Sequence, residues 1–186
     1  YFANNELSSA AKQFKKAIQL DSKYVPAYLK LAQIYYSEDN VTAAQSELKL
    51  VLRFDSNNIK AMLLLANIEE QAGNISSMLS WIKKVKENNK TDLVSRLILV
   101  KYYLKNNDFD KAHLELDEAL AIEPENIYAL NLKFTLLRKT KNYNEAIILA
   151  NRIIQMQKKS PAALVNLAEV YIEQKNYNKA RSTLDK

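Results

Sequence analysis

Apolar residues along this chain recur three and four positions apart, in short stretches interrupted by polar clusters. Tyr28, Leu31, Ala32, Tyr35 and Tyr36 follow that spacing, Ser37-Glu-Asp-Asn40 interrupts it, and Ala44, Leu48, Val51 and Leu52 resume it. Such spacing gathers apolar side chains on one helical face, so the pattern predicts two short amphipathic helices joined by a tight turn. The pattern then repeats. Phe109-Asp-Lys-Ala112, Tyr143-Asn-Glu-Ala146 and Tyr177-Asn-Lys-Ala180 stand 34 residues apart. The small position of that set recurs as Ala10, Ala44, Met78, Ala112, Ala146 and Ala180. A larger apolar position follows as Phe14, Leu48, Ile82, Leu116, Ala150 and Leu184.

No insertion breaks the register. The chain divides into units 1–24 (partial), 25–58, 59–92, 93–126, 127–160 and 161–186 (partial). One helix pair of this length cannot bury its apolar face alone, whereas stacked copies can. The expectation is a single array over 1–186. It starts at Tyr1 and stops at Lys186 inside a helical pattern, as an excerpt of a longer protein would.

The joints are legible too. Between paired helices stand Asn5, Asp39, Gly73, Asn107, Lys141 and Lys175. A helix C-terminus often ends there in the left-handed conformation, which Gly and Asn adopt most easily. Next come Glu6, Asn40, Asn74, Asp108, Asn142 and Asn176, five of them good N-caps. Asn142 with Glu145 approximates a capping box.

Composition narrows the chemistry. The chain has one Gly, three Pro, one His and no Cys. That excludes Gly-rich phosphate loops, disulfides, Cys-ligated zinc and thiol catalysis. His113, with Glu115 and Asp117 nearby, is too isolated for a metal centre. No paired carboxylates, nucleophile with base, or cofactor motif is evident, so no catalytic, cofactor-binding or metal residue is expected. Lys and Arg number 27 against 21 acids, giving a net charge of +6. Nucleic-acid binding favours Arg forks, and five Arg is thin. No apolar run reaches the length of a membrane span. Trp81 is either a helix-packing residue or an exposed recognition aromatic.

The 34-residue period, the two helices and the small–aromatic–Ala order resemble the tetratricopeptide repeat. Its Trp slot holds Tyr28, Met62, Arg96, Leu130 and Leu164, and its Leu slot Leu31, Leu65, Leu99, Lys133 and Leu167. The next small slot holds Ala32, Ala66, Val100, Phe134 and Ala168; the Tyr slot holds Tyr35, Glu69, Tyr103, Leu137 and Tyr171. The Pro slot holds Ser22, Ser56, Lys90, Pro124 and Lys158. The bulky Phe134 and the shrunken Ala150 in one unit suggest a volume exchange. The resemblance implies an all-α, right-handed solenoid of antiparallel helix pairs. It also implies a concave groove lined by first helices, with second helices mostly on the convex side.

The groove positions then follow residue by residue. They are Leu29, Lys30, Gln33 and Tyr36; Lys60, Leu63, Leu64, Asn67 and Glu70; Leu97, Ile98, Lys101 and Lys105; Tyr128, Asn131, Leu132, Thr135 and Arg138; and Val165, Asn166, Glu169 and Glu173. The middle of this set is apolar. It suggests a partner with an apolar segment, unless the array closes tightly enough to bury these residues. Some relatives clamp a C-terminal carboxylate with Lys and Asn. Those slots here hold Leu29, Gln33, Leu64, Val94 and Ile98, so that clamp is absent.

A narrower resemblance rests on Trp81-Ile-Lys-Lys, Arg96-Leu-Ile-Leu-Val-Lys-Tyr-Tyr103, Lys159-Ser-Pro-Ala-Ala-Leu164 and Leu167-Ala168. These are similar to tetratricopeptide lipoproteins of the bacterial PEP-CTERM sorting and exopolysaccharide system. That resemblance implies an envelope location, with a lipid anchor upstream; a cytoplasmic location is the alternative. The expected function is a non-catalytic protein or peptide scaffold. The alternatives are an envelope export component, an RNA-binding helical repeat, which the apolar groove disfavours, and a regulatory domain of an enzyme.

Overall fold

The computed structural model describes residues 2–157 and 160–185, with side-chain surroundings from Glu6 onward. Tyr1, Lys158, Lys159 and Lys186 lie outside the described residues, including the Pro-slot position Lys158 and the start of the Lys159–Leu164 stretch.

Among the described residues there are eleven helices: α1 Phe2–Leu20, α2 Val25–Ser37, α3 Val41–Phe54, α4 Ile59–Gln71, α5 Ile75–Asn88, α6 Leu93–Lys105, α7 Phe109–Ile122, α8 Ile127–Lys139, α9 Tyr143–Met156, α10 Pro161–Glu173 and α11 Tyr177–Leu184. The first helices begin at Val25, Ile59, Leu93, Ile127 and Pro161, each 34 residues after the last. The second helices keep the same step from Val41 to Tyr177. Each first helix packs against the second helix that follows it; α2, α4, α8 and α10 also pack against the helix before them, and α8 touches α6. The helices form two compact units, Tyr1–Asp92 and Leu93–Lys186.

The joints explain why the helices stop where they do. Asp39, Gly73, Asn107, Lys141 and Lys175 all have positive φ, between 56° and 77°. In each turn the following N–H reaches back five residues, as Asn40 N to Tyr35 O (2.8 Å) and Asn176 N to Tyr171 O (2.7 Å). The left-handed residue's own N–H bonds three residues back, as Lys141 to Arg138 O at 3.0 Å. This double bond pattern satisfies carbonyls that a helix end otherwise leaves open.

The turns depart from expectation in three places. At Asn5-Glu6 there is no joint, because α1 runs unbroken through both positions. Asn40, Asp108 and Asn176 accept the N-cap hydrogen bond, but Asn74 and Asn142 do not. Asn74 instead donates its amide to Glu69 Oε2 at 2.9 Å. Without a cap bond at Asn142, the capping box with Glu145 does not form. Two further caps begin first helices: Asn58 accepts from Ala61 N and Asn126 from Ala129 N, both at 3.0 Å. Each also donates its amide to an acid three residues earlier, Asp55 or Glu123.

Burial follows the repeat. In the unit Tyr1–Asp92 the core gathers Tyr28, Ala32, Ala44, Leu48, Val51, Ala61, Leu65 and Ile68. Trp81 is half-buried against this core, with the Lys84 ammonium 4.4 Å from its ring centre. In the unit Leu93–Lys186 one cluster forms around Val100, Leu104, Ala112, Leu116 and Leu136, and another around Leu130, Phe134, Leu137, Ala150, Ile153 and Leu167. Phe134 and Ala150 share the walls of a crevice with Ile153 and Ala163 that has no room for a water. The large and small side chains thus share neighbours, as a volume exchange between them requires. Leu137 of the Tyr row lies in the core, but the row's tyrosines lie at its edge. Tyr35, Tyr103 and Tyr171 are half-buried, each with a Lys ammonium 5.5–5.7 Å from its ring centre.

One core position is charged. Arg96 fills the Trp slot, is 8% exposed, and pairs with the buried Glu115 at 3.2 Å and with Glu118. The equivalent two positions in the next repeat are Leu130 and Leu149.

Candidate functional site

The first helices carry the positions expected to meet a partner. In the unit Tyr1–Asp92 these lie on α2 and α4. Lys30, Gln33, Lys60 and Asn67 are exposed, whereas Leu29, Leu63 and Leu64 are half-buried. Leu29 and Leu64 rest on the core beneath them. The Tyr36 hydroxyl donates to Asn67 Oδ1 at 2.6 Å, which brings the end of α2 beside the middle of α4. Burial pushes the Tyr36 phenol pKa up, against a hydrogen bond from Gln71. The result is a ridge of half-sunk leucines edged by lysines and amides.

In the unit Leu93–Lys186 the same positions lie on α6, α8 and α10. Leu97, Ile98 and Leu132 are half-buried, and Leu132 packs on the cluster around Val100. Lys101 and Thr135 are exposed, as is Tyr128. Asn131 and Thr135 are turned toward their own helix: Asn131 donates to Ile127 O at 2.8 Å and Thr135 to Asn131 O at 3.0 Å. They offer a ligand less than the sequence implies. Asn166 lines the crevice beside Phe134 and Ala150.

Arg138 organises the far end of this face. It donates to Glu169 and Glu173 on α10 and lies 5.7 Å over the Phe134 ring. Burial works against its charge, but the two carboxylates more than compensate and hold its pKa above the usual arginine value. Tyr36–Asn67 and Arg138–Glu169 join equivalent positions of successive first helices, 31 residues apart in both cases. Within each unit, these bonds bring one pair of the expected positions on successive first helices together. The question of exposure has a middle answer: apart from the exposed Val165, the aliphatic residues are neither free nor sealed, and the smaller part of each side chain meets solvent.

The remaining candidate chemistry resolves simply. His113 is exposed and lies 3.2 Å from Asp117, one turn away on α7. Among the described residues, no three His, Cys, Asp or Glu gather where they could hold a metal ion. Also among them, no helix is long and apolar enough to cross a membrane.

A feature outside the expected set is a cavity over α8, walled by Leu120, Ile148 and Arg152 among others. Its only sequence signal is Lys133 in the Leu slot.

Comparison with known proteins agrees with this geometry. One tetratricopeptide-repeat family model matches residues 1–68 and 137–186, and a second matches 99–161. The chain is a tetratricopeptide-repeat protein. Its fold is similar to that of a tetratricopeptide repeat protein from Parabacteroides merdae, at 15% identity and a TM-score of 0.78, covering 100% of this chain and 73% of that one. It is also similar to YrrB, described as having an unusual peptide-binding site, at 18% identity, TM-score 0.69, and 94% and 90% coverage. Yeast Tom70 matches at 22% identity and TM-score 0.74, with 93% of this array covered but 37% of Tom70. No curated protein matches the sequence.

Proposed function

We propose that this tetratricopeptide array is a non-catalytic scaffold that binds a protein or peptide segment across the exposed faces of its first helices. The carrying observation is the half-buried row Leu29, Leu63 and Leu64 in one unit and Leu97, Ile98 and Leu132 in the other. Each of these residues keeps apolar surface in water, and Leu29, Leu64 and Leu132 do so above a core they pack against. An arriving apolar side chain would cover that surface. The neighbouring lysines and amides would fix the register of the segment, since polar groups specify more than they attract. YrrB, a protein of the same fold, is described by its peptide-binding site, which favours this reading over an enzymatic one. The wider family matches name only the repeat, so an envelope lipoprotein role rests on the sequence resemblance alone.

The test is partner capture by crosslinking with wild-type protein and with the double variant Leu63→Glu, Leu97→Glu. The reading expects capture to be lost while the helical circular dichroism signal stays unchanged. Undiminished capture by a folded variant would reject it. Loss of helicity would instead place both residues in the core.

A further inference from the structure

Of the five Leu-slot positions, four are buried leucines: Leu31, Leu65, Leu99 and Leu167 are between 1% and 6% exposed. The fifth is Lys133. Its ammonium turns away from the core toward Asp117 Oδ1 on α7, 3.7 Å distant, and the side chain stays 31% exposed. A lysine cannot take the leucine's place inside because its charge would lose its hydration. The volume that a leucine fills elsewhere is therefore open to solvent here. An open cavity of about 410 Å³, larger than one leucine side chain, adjoins that place, walled by Leu120 from α7, Leu130 and Leu137 from α8, and Ile148 and Leu149 from α9. Ile148 is 70% exposed, which is unusual for an isoleucine in a packed helix pair.

The cavity falls within the usual size range of small-molecule sites, about 300–1,000 Å³, and has their make-up of apolar walls with few polar groups. Its charged lining consists of Lys133, Arg152 and Glu145, so cations outnumber the anion. Lys133 is held only by a long, solvent-exposed pair, which contributes little. Arg152 donates one long bond, 3.4 Å, to Pro124 O, leaving most of its N–H donors for a ligand. Its α8 walls, Leu130, Lys133 and Leu137, are not among the positions expected to face a partner, so the cavity is distinct from them.

We propose that this cavity is a second binding site, for a small amphipathic carboxylate. Its hydrocarbon body replaces the missing leucine against Leu130, Leu137 and Leu149, and its carboxylate is held by Lys133 and Arg152. A docked protein segment would need a wider apolar surround than the charged rim provides.

The probe is decanoate, titrated into the whole 186-residue chain and followed by amide NMR shifts, with decanol as the uncharged comparison. Saturable shifts confined to α7–α9 are expected. Decanol should bind about fivefold more weakly, as the loss of one partly exposed charge pair implies. Lys133→Leu turns an apolar side chain inward and removes one of the two cations, so it should raise thermal stability and abolish the saturable shifts. Arg152→Gln should weaken binding while leaving the fold unchanged. The proposal is overturned if no shift saturates, if decanol binds as well as decanoate, if the shifts survive Lys133→Leu in a folded protein, or if an apolar peptide saturates the cavity and decanoate does not.

Discussion

At the scale of single residues, the joints carry the clearest energetics. All five turns use the same left-handed conformation, yet only one has glycine there. For an L-residue that conformation costs roughly 1–2 kcal/mol, while a glycine loses about 0.5–1 kcal/mol more chain entropy on folding. Lys141 and Lys175, at φ near 60°, hold the larger strain because their side chains cannot bond back to the local backbone as Asn or Asp can. Lys141→Gly and Lys175→Gly should each stabilise by about 0.5–1 kcal/mol, seen as a higher urea midpoint; Asn107→Gly should change little. The converse, Gly73→Ala, separates backbone strain from crowding. A Cβ at Gly73 meets nothing within 4 Å, so its cost of about 1 kcal/mol would come from φ alone. These positions were readable because the 34-residue register aligns them, and Gly73 marks what they have in common. Which Asn would cap was not readable. Asn74 and Asn142 have the residue type and slot of their siblings, and at Asn74 a neighbouring carboxylate takes the side chain instead. That competition depends on Glu69, five residues away, in the slot that holds Tyr35, Tyr103, Leu137 and Tyr171 in the other repeats.

At the scale of elements, the second-helix position that packs toward the Trp slot shows how one backbone tolerates different chemistry. It holds Glu47, Trp81, Glu115, Leu149 and Thr183 in turn. Burial raises the Glu47 carboxyl pKa, and the Lys15 charge partly opposes this. In the repeat of α6 and α7 the pair is Arg96 with Glu115, buried and ionic; in the next it is Leu130 with Leu149. A buried ion pair rarely improves on well-packed apolar residues, but breaking it strands a charge. Arg96→Leu alone should therefore cost about 3 kcal/mol, because Glu115 loses its guanidinium. The double variant Arg96→Leu, Glu115→Leu copies the neighbouring repeat and should fall within about 1 kcal/mol of wild type or above it. Chemical denaturation of the three proteins checks this, and equal losses in single and double variants would refute it. Helix number, length and order from α2 onward were legible in the sequence, since each repeat states them again. The unbroken α1 was not, because the first repeat has no preceding helix pair against which to judge its joint. The pairing of Arg96 with Glu115 was also hidden: the two are 19 residues apart and no sibling repeat carries the same charges.

At the scale of the molecule, repetition separates what holds the fold from what remains for binding. Apolar slots that recur from repeat to repeat build the core, while positions that vary on the first helices include both buried ones such as Arg96 and the faces proposed for a partner. The candidate faces were legible to this extent, because their positions follow from the period. Their exposure was not, since half-burial of Leu29, Leu64 and Leu132 depends on side chains from neighbouring helices. The cavity over α8 was legible only as an irregularity, Lys133 among leucines. On the reading proposed above, half-sunk aliphatics flanked by lysines would take a segment that brings apolar side chains and interspersed carboxylates. The double substitution Leu63→Glu, Leu97→Glu opposes both features at once.

The most direct measurement is site-specific photocrosslinking. A photoreactive residue is placed at Gln33 or Lys101 on the first helices, and at Ser46 or His113 on the second helices, all exposed positions. Binding across the first helices predicts one partner adduct from Gln33 and Lys101, lost in the Leu63→Glu, Leu97→Glu background, and none from Ser46 or His113. Adducts only from Ser46 or His113, or adducts that persist in the folded double variant, would contradict the account.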